Sequence, residues 1–308
     1  MRTTSAGRTE HLLIPISGGS GEDPAVDACV AATVWRPQGP ARGVVAVHPA
    51  TATPQTFYRA FAGFLADSGL AAVTYDYRGT GRSGTPREHP RVRMRDWMEQ
   101  DVPAVADWVR HAFPELPSFA VGHSVGGHAL ALGCGIEGVS AFALVSSHAG
   151  VTAQIPDRAE RLRVRAFFAV APTLGRLLGY APSRLAGFGE DLPREVVREW
   201  APWTRRPGYF FDDATMDAAR RTARVHRPVL AVGAADDPWA TPAQIEAITD
   251  HLTGSPVERR TVTPQELGVE RVGHHGLLRR GVGEPFWADL VRWWGDQVLP
   301  GPSAQVAG

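Results

Sequence analysis

Hydrophobic positions along the chain fall into two patterns that follow each other repeatedly. Short apolar runs predict buried strands, and longer stretches with apolar residues three or four positions apart predict helices. The predicted strands cover residues 12–16, 27–35, 43–48, 70–75, 118–121, 141–146, 228–232 and 257–262. The first two strands predict a hairpin with a flexible loop at 17–21, and the last helix is expected at 286–298. Such alternation predicts an α/β fold with a mostly parallel central sheet and helices on both faces.

One segment interrupts this alternation. Between the strand ending at residue 146 and the strand beginning at 228, roughly 75 residues show helical patterning without a clear strand, far more than an ordinary connection needs. We therefore expect a core formed by residues 1–150 and 227–300, with a helical insertion at 151–226. The polar tail at 301–308 is expected to be flexible.

The most informative motif is G-x-S-x-G at residues 122–126, directly after an apolar strand and directly before a helical stretch. A sharp turn from strand to helix lifts the Ser124 hydroxyl off the sheet and leaves the following backbone N–H groups free to bind an anion. Glycines on either side allow the strand and the helix to approach closely. For the pentapeptide alone, a chance match in a glycine-rich chain remains the alternative.

A serine nucleophile requires a histidine as base and a carboxylate that orients the histidine. Where the serine lies in a turn from a strand to a helix, the acid follows it along the chain and the histidine comes last. The strand at 228–232 is followed by Asp236 and Asp237, and the strand at 257–262 is followed by a loop that carries His274 and His275. Because open parallel sheets form their sites at the carboxyl ends of the strands, these side chains could converge on Ser124. The residues alone leave open which aspartate and which histidine take part.

Two further motifs extend this pattern. Residues 76–83 match the loop motif D-x-R-G-x-G-x-S. Residues 48–50 read His-Pro-Ala directly after the third predicted strand, a position at which many serine hydrolases have His-Gly-x. With the serine motif, they show that the chain resembles the α/β-hydrolase superfamily, in particular a bacterial branch of serine hydrolases, from about residue 43 to residue 294. The resemblance implies an α/β-hydrolase fold in which the insertion at 151–226 is a helical lid over the active site.

The resemblance also assigns roles to individual residues. It implies that Ser124 is the nucleophile and that His274, which follows a glycine, is the base. It places the two N–H donors of the oxyanion hole at Ala50 and Val125. For the acid it favours Asp237, because in this family the aspartate precedes the proline of the next helix by a few residues.

Other assignments remain open at this point. Asp236 fits a capping or loop-bracing role, and His275 fits a residue of the pocket wall. Aromatic side chains of the predicted lid could line an acyl pocket or pack within the lid. They are Phe167, Phe168, Tyr180, Trp200, Trp203, Tyr209, Phe210 and Phe211.

Charge and composition narrow the possible partners. Lys and Arg together number 32, as do Asp and Glu, so no net charge attracts the protein to nucleic acid, and none is expected as a partner. The most apolar stretch, 166–180, contains Pro172 and Arg176 and is too short for an integral membrane segment. Residues 1–10 lack the apolar core of a signal peptide, so a cytoplasmic location is expected.

The candidate chemistry requires no added group. No cluster has metal-ligand spacing and no glycine-rich loop fits a dinucleotide, so we expect neither a metal nor a cofactor. The first hypothesis is a serine hydrolase that cleaves a carboxylic ester or thioester of a small-molecule acyl substrate through an acyl-enzyme. Alternatives are an acyltransferase or cyclase with the same triad, or a non-catalytic relative that binds a ligand. The oligomeric state is left open.

Overall fold

The computed structural model describes residues 9–16 and 28–298, and its centre is an eight-stranded sheet. The strands are β1 (Thr9–Pro15), β2 (Cys29–Trp35), β3 (Val44–His48), β4 (Ala71–Tyr75), β5 (Ser118–His123), β6 (Val139–Val145), β7 (Tyr180–Ala181), β8 (Leu192–Pro193), β9 (Val229–Ala234) and β10 (Val257–Val262). The large sheet has the order β1-β2-β4-β3-β5-β6-β9-β10. Its pairs are parallel from β4 to β10, whereas β2 is antiparallel to both β1 and β4. The prediction of a mostly parallel sheet with an initial hairpin is therefore confirmed.

Helices connect these strands. They are α1 (Arg59–Asp67), α2 (Met94–Asp96), α3 (Val102–Ala112), α4 (Val125–Ala131), α5 (Arg158–Leu178), α6 (Arg194–Trp203), α7 (Ala218–Ala223), α8 (Pro242–Thr249), α9 (Gly273–Gly276) and α10 (Glu284–Val298). The predicted loop at 17–21 and the predicted tail at 301–308 lie outside the described residues.

Apolar residues form one cluster on each face of the sheet. In β3, Val44 and Ala46 point into one cluster while Val45 and Val47 point into the other, as the two-residue period of a strand requires. Helices α3, α4 and α8 contribute to the first cluster, and α1 and α10 contribute to the second. Both faces of the sheet are thus covered by helices, which is why its central strands are mostly apolar.

The segment between β6 and β9 is helical, with α5, α6 and α7, and also contains the short antiparallel pair β7 and β8. It contacts the core through the loops that follow β3 and β4. The Glu190 N–H donates to the Ala52 carbonyl at 2.9 Å, and the Gly81 N–H donates to a Glu190 carboxylate oxygen at 2.9 Å. The insertion therefore lies at the carboxyl ends of the parallel strands, where sites of such sheets form. Strands of two residues are too short to leave a sequence pattern.

The D-x-R-G-x-G-x-S loop is held by buried charges. The Arg78 Nε–H donates to Asp101 Oδ1 at 2.7 Å, and the Arg78 backbone N–H donates to Asp101 Oδ2 at 2.9 Å. Asp76 accepts two hydrogen bonds from Gln55, one from its backbone N–H and one from its side-chain amide, each at 2.7 Å. These bonds tie the loop after β4 both to Asp101, which directly precedes α3, and to Gln55 in the turn after β3.

Within the described ranges, none of the helices has both the length and the apolar character needed to cross a bilayer.

Candidate active site

Ser124 stands between β5 and α4 in a conformation that few residues adopt. Its backbone angles are φ 52° and ψ −113°, and its N–H donates to the Val145 carbonyl at 2.9 Å. A Cβ on Gly122 would overlap the Gly127 backbone, and a Cβ on Gly126 would overlap the His48 carbonyl. Both glycines are therefore required for close packing, and the strained turn between them presents the serine above the sheet.

Asp237 and His274 form a hydrogen-bonded pair. Asp237 follows β9, its side chain is fully buried, and its Oδ2 lies 2.8 Å from His274 Nδ1. Burial opposes ionisation of this carboxyl, but His274 and the Trp239 N–H outweigh it and hold the pKa of Asp237 well below its usual range. The carboxylate is then the acceptor and Nδ1 carries the hydrogen, so the lone pair of His274 is on Nε2.

Asp236 has a different set of partners. Its carboxylate accepts the Val272 N–H at 2.9 Å and the Gly273 N–H at 2.8 Å. These bonds fix the start of α9, the turn that carries His274. The structure therefore brings Asp237 to the histidine and leaves Asp236 as a brace of the loop.

Other histidines surround His274. The His148 ring centroid lies 5.3 Å from that of His274, and His148 Nδ1–H donates to the Ser146 carbonyl at 3.0 Å. Burial, with a smaller effect of nearby His274, lowers the pKa of His148 to about 4. His123 is also buried, with its pKa well below the usual value, and its Nε2 lies 3.0 Å from the His274 carbonyl. These neighbours are neutral at physiological pH and do not compete with Asp237 for the proton on His274 Nδ1.

The N–H of Ala50, one of the two groups expected to donate to the oxyanion, already forms a hydrogen bond within the protein. The Ala50 N–H donates to the Tyr58 hydroxyl at 2.8 Å, and that hydroxyl in turn lies 2.8 Å from His123 Nδ1. In this structure the Ala50 N–H, which was expected to bind an oxyanion, is thus hydrogen-bonded to a tyrosine eight positions later. The next residue, Thr51, lines the cavity, and its N–H has no acceptor among the described residues.

Tyr58 consequently links the loop after β3 to His123 and, through His123, to the backbone of His274. We expect Tyr58→Phe to lower the free energy of unfolding by about 1–3 kcal/mol, because a buried N–H and a buried imidazole nitrogen lose their partner. Urea denaturation measures this change. Tyr180→Phe is the control, since no hydrogen bond of that hydroxyl is found among the described residues. Equal midpoints for the two variants would contradict the link.

Ser124, His148 and His274 line one cavity of about 680 Å³. The insertion provides much of its apolar wall, with Ile155, Val164, Phe168, Phe188, Leu192 and Trp200. His275 also lines the cavity, as expected, and its Nε2 lies 3.1 Å from Thr53 Oγ1. Val125, the other expected oxyanion donor, begins α4, and the first N–H groups of a helix have no carbonyl partner within it.

Sequence reasoning identified only part of this wall. Of the eight aromatic residues named for the lid, Phe168 and Trp200 line the cavity. Phe188 and Trp239 line it as well but were not predicted. His148 was also missed, although its position directly after β6 is a signal, since the ends of parallel strands form such sites.

Among the residues that the structure describes, no group of three or more His, Cys, Asp or Glu side chains is arranged to hold a metal ion.

Comparisons with known proteins agree with this fold. Solved structures with a similar fold include the monoacylglycerol lipase of Paleococcus ferrophilus, with a TM-score of 0.59, 15% identity, and coverage of 87% of this chain and 99% of that one. A Pyrococcus furiosus esterase has a TM-score of 0.61 at 12% identity, covering 94% and 92%. A thermostable carboxyl esterase of Bacillus coagulans has a TM-score of 0.60 at 15% identity, covering 96% and 100%. At such identities the likeness shows the fold alone.

Sequence comparison adds the family. A monoacylglycerol lipase of Mycolicibacterium smegmatis is 30% identical over 125 residues, which is 40% of this chain and 40% of that protein. The match thus spans well under half the length of that relative. Residues 39–264 match the model of the Hydrolase_4 family, described as serine aminopeptidase, S33. With its mostly parallel sheet and its strained serine turn, the chain belongs to this family of α/β-hydrolase serine hydrolases.

Proposed function

We propose that this protein hydrolyses a carboxylic ester or thioester through an acyl-enzyme on Ser124. The observation that carries the proposal is the 2.8 Å bond between Asp237 Oδ2 and His274 Nδ1, beside a cavity that both His274 and Ser124 line. A buried carboxylate on Nδ1 orients the ring and stabilises the positive charge that it acquires during the reaction. Oriented in this way, Nε2 is the nitrogen that accepts the serine proton.

The reaction follows from these roles. Ser124 Oγ attacks the acyl carbon as His274 Nε2 takes its proton, and the carbonyl oxygen becomes an oxyanion. His274 then returns the proton to the leaving alcohol or thiol. Water, deprotonated by the same nitrogen, attacks the acyl carbon and releases the acid and the free serine.

The oxyanion is proposed to bind two backbone N–H groups, Val125 at the start of α4 and Thr51 in the loop after β3. Thr51 replaces Ala50 in this proposal because the Ala50 N–H donates to Tyr58. Removal of one such donor costs about 3 kcal/mol of transition-state stabilisation in serine hydrolases, so the geometry of this loop is critical.

The insertion at 151–226 is proposed to act as a lid. Support comes from Val164 and Phe168 on α5, which line the cavity, and from the hydrogen bond of Glu190 to Ala52 beside it. An apolar wall at this position fits the acyl part of a substrate.

An ester is favoured over a peptide with a free amino terminus, although the family description names aminopeptidases. An aminopeptidase requires a negative group to bind the ammonium of its substrate. No Asp or Glu is found among the described residues that line this cavity. The relative named as a monoacylglycerol lipase points in the same direction.

Covalent labelling tests the proposal. A fluorophosphonate probe is expected to modify the protein once, at Ser124, as located by mass spectrometry of the digested adduct. Preincubation with p-nitrophenyl esters of increasing acyl length should slow the labelling, and release of p-nitrophenol from the same esters measures turnover. Labelling at another serine, or turnover without any labelling, would overturn the assignment.

A further inference from the structure

The cavity beside Ser124 is lined by charges of one sign. Two arginines, Arg59 and Arg279, contribute to its wall, and no carboxylate does so among the described lining residues. The whole chain, in contrast, has equal numbers of basic and acidic side chains. Two positive charges with no carboxylate in the same wall favour an anion there. Arg279 also lines an adjoining cavity, whose wall includes Asp157, Glu160 and Asp236.

Within residues 9–16 and 28–298, the guanidinium of neither arginine has a partner: no carboxylate lies within 4.0 Å of either side chain, and neither side chain forms a hydrogen bond. Arg163 nearby, by comparison, pairs with Glu160 at 2.6 Å. Five N–H donors on each of two guanidinium groups are therefore available to a ligand.

The acidic residues of the adjoining cavity, which His274 also lines, already have hydrogen-bond partners within the protein. Asp236 accepts the two N–H groups at the start of α9, and Glu160 accepts from Arg163 and from the Trp239 indole. Asp157 accepts the Glu160 N–H at the start of α5. These carboxylates are held by groups other than the two cavity arginines.

Both arginines belong to segments that meet at His275. Arg59 begins α1, shortly after Phe57, whose ring centroid lies 5.5 Å from that of His275. Arg279 follows α9 and is close enough to His275 to contribute to the lowered pKa of that ring, after the larger effect of burial. Both arginines thus come from the core segments that flank His275, whereas the insertion contributes apolar side chains.

We propose that the substrate of this site carries an anionic group, a carboxylate or a phosphate, which pairs with Arg59 and Arg279 while the ester bond lies at Ser124. This inference rests on the proposed ester hydrolysis and adds to it the charge class of the substrate. Guanidinium groups bind carboxylate and phosphate through paired N–H donors, so either anion satisfies the chemistry.

The expected effect is moderate because both side chains are exposed to solvent. Each arginine is expected to contribute about a fivefold preference for an anionic over a neutral substrate at low salt. The preference should decrease as ionic strength rises, because the Debye length falls to about 8 Å at physiological salt.

Three hexanoate esters test the proposal: that of ethylene glycol, which is neutral, that of glycolate, and that of glycerol 3-phosphate. The readout is the ratio of kcat/KM for each anionic ester to that for the neutral ester. Arg59→Ala and Arg279→Ala are each expected to lower this ratio about fivefold, and Arg279→Glu to lower it further. Arg280→Ala is the matched control: Arg280 carries the same charge as its neighbour Arg279 but does not line the cavity.

The outcomes are distinct. A higher ratio for phosphate alone identifies a phosphorylated substrate, and a higher ratio for both anions identifies a general anion site. A wild-type ratio near one, or equal ratios in Arg279→Ala and Arg280→Ala, overturns the proposal. Turnover of the neutral ester reports separately on the proposed hydrolysis. If no ester is turned over, calorimetry of Ser124→Ala with hexyl phosphate and with hexanol still decides whether the anion is bound through these arginines.

Discussion

Ser124→Ala is expected to reduce kcat for p-nitrophenyl esters by about 10⁴- to 10⁶-fold, because it removes the hydroxyl that is proposed to form the acyl-enzyme. The fold should persist. The Ser124 hydroxyl has no hydrogen bond to a described residue, so the free energy of unfolding should change by less than about 0.5 kcal/mol. Steady-state kinetics and urea denaturation of the same preparation measure the two effects.

Ser118→Ala is a suitable control, because Ser118 is the first residue of β5 whereas Ser124 follows its last residue. It should retain the activity of the wild type. Residual activity of Ser124→Ala within about tenfold of the wild type would show that another residue carries the chemistry.

Asp237→Asn is expected to lower kcat by about 10⁴-fold while KM changes little. An amide in place of the carboxylate can donate to Nδ1, which favours the wrong tautomer of His274 and removes the negative charge that stabilises the imidazolium. The carboxylate that is lost is ionised across the neutral range, since its pKa lies well below the usual value. Kinetics over a range of pH should therefore show the loss at every pH in that range.

Asp236→Asn provides the comparison within the same loop. The two carboxylate oxygens of Asp236 accept the Val272 and Gly273 N–H groups, whereas asparagine has only one oxygen acceptor. The variant should therefore lose about 1–3 kcal/mol of stability. It leaves the Asp237–His274 bond in place and should lower kcat much less than Asp237→Asn. The reverse order of the two effects on kcat would assign the acid to Asp236.

The elements of the fold were largely predictable from the sequence. Strand β10 has the predicted bounds, and the other predicted strands differ from the observed ones by a few residues at their ends. Buried parallel strands are apolar runs of a few residues, and amphipathic helices repeat at 3.6 residues, so both leave a direct pattern in the chain. The two-residue strands β7 and β8 leave no such pattern, and they were missed.

Some residues of the candidate site were predictable from the sequence, but their contacts were not. The G-x-S-x-G motif identified Ser124, because glycine on both sides of a strained serine is a local steric requirement. The choice between Asp236 and Asp237 depended on the resemblance to a family, because adjacent residues share nearly the same local pattern. His148 and Trp239 follow the ends of β6 and β9, where such sheets form their sites, but no local pattern specifies that their side chains face this cavity.

The amino-acid sequence by itself determined the alternation of strands and helices, the position of the strained serine turn and the family, since each depends on residues close together in the chain. Only the tertiary structure decided that Asp237 contacts His274, that Tyr58 occupies the Ala50 N–H, and that two unpaired arginines share the cavity with Ser124. These contacts join segments far apart along the chain. Distances between such segments are set by how the helices pack on the sheet, which no local pattern specifies.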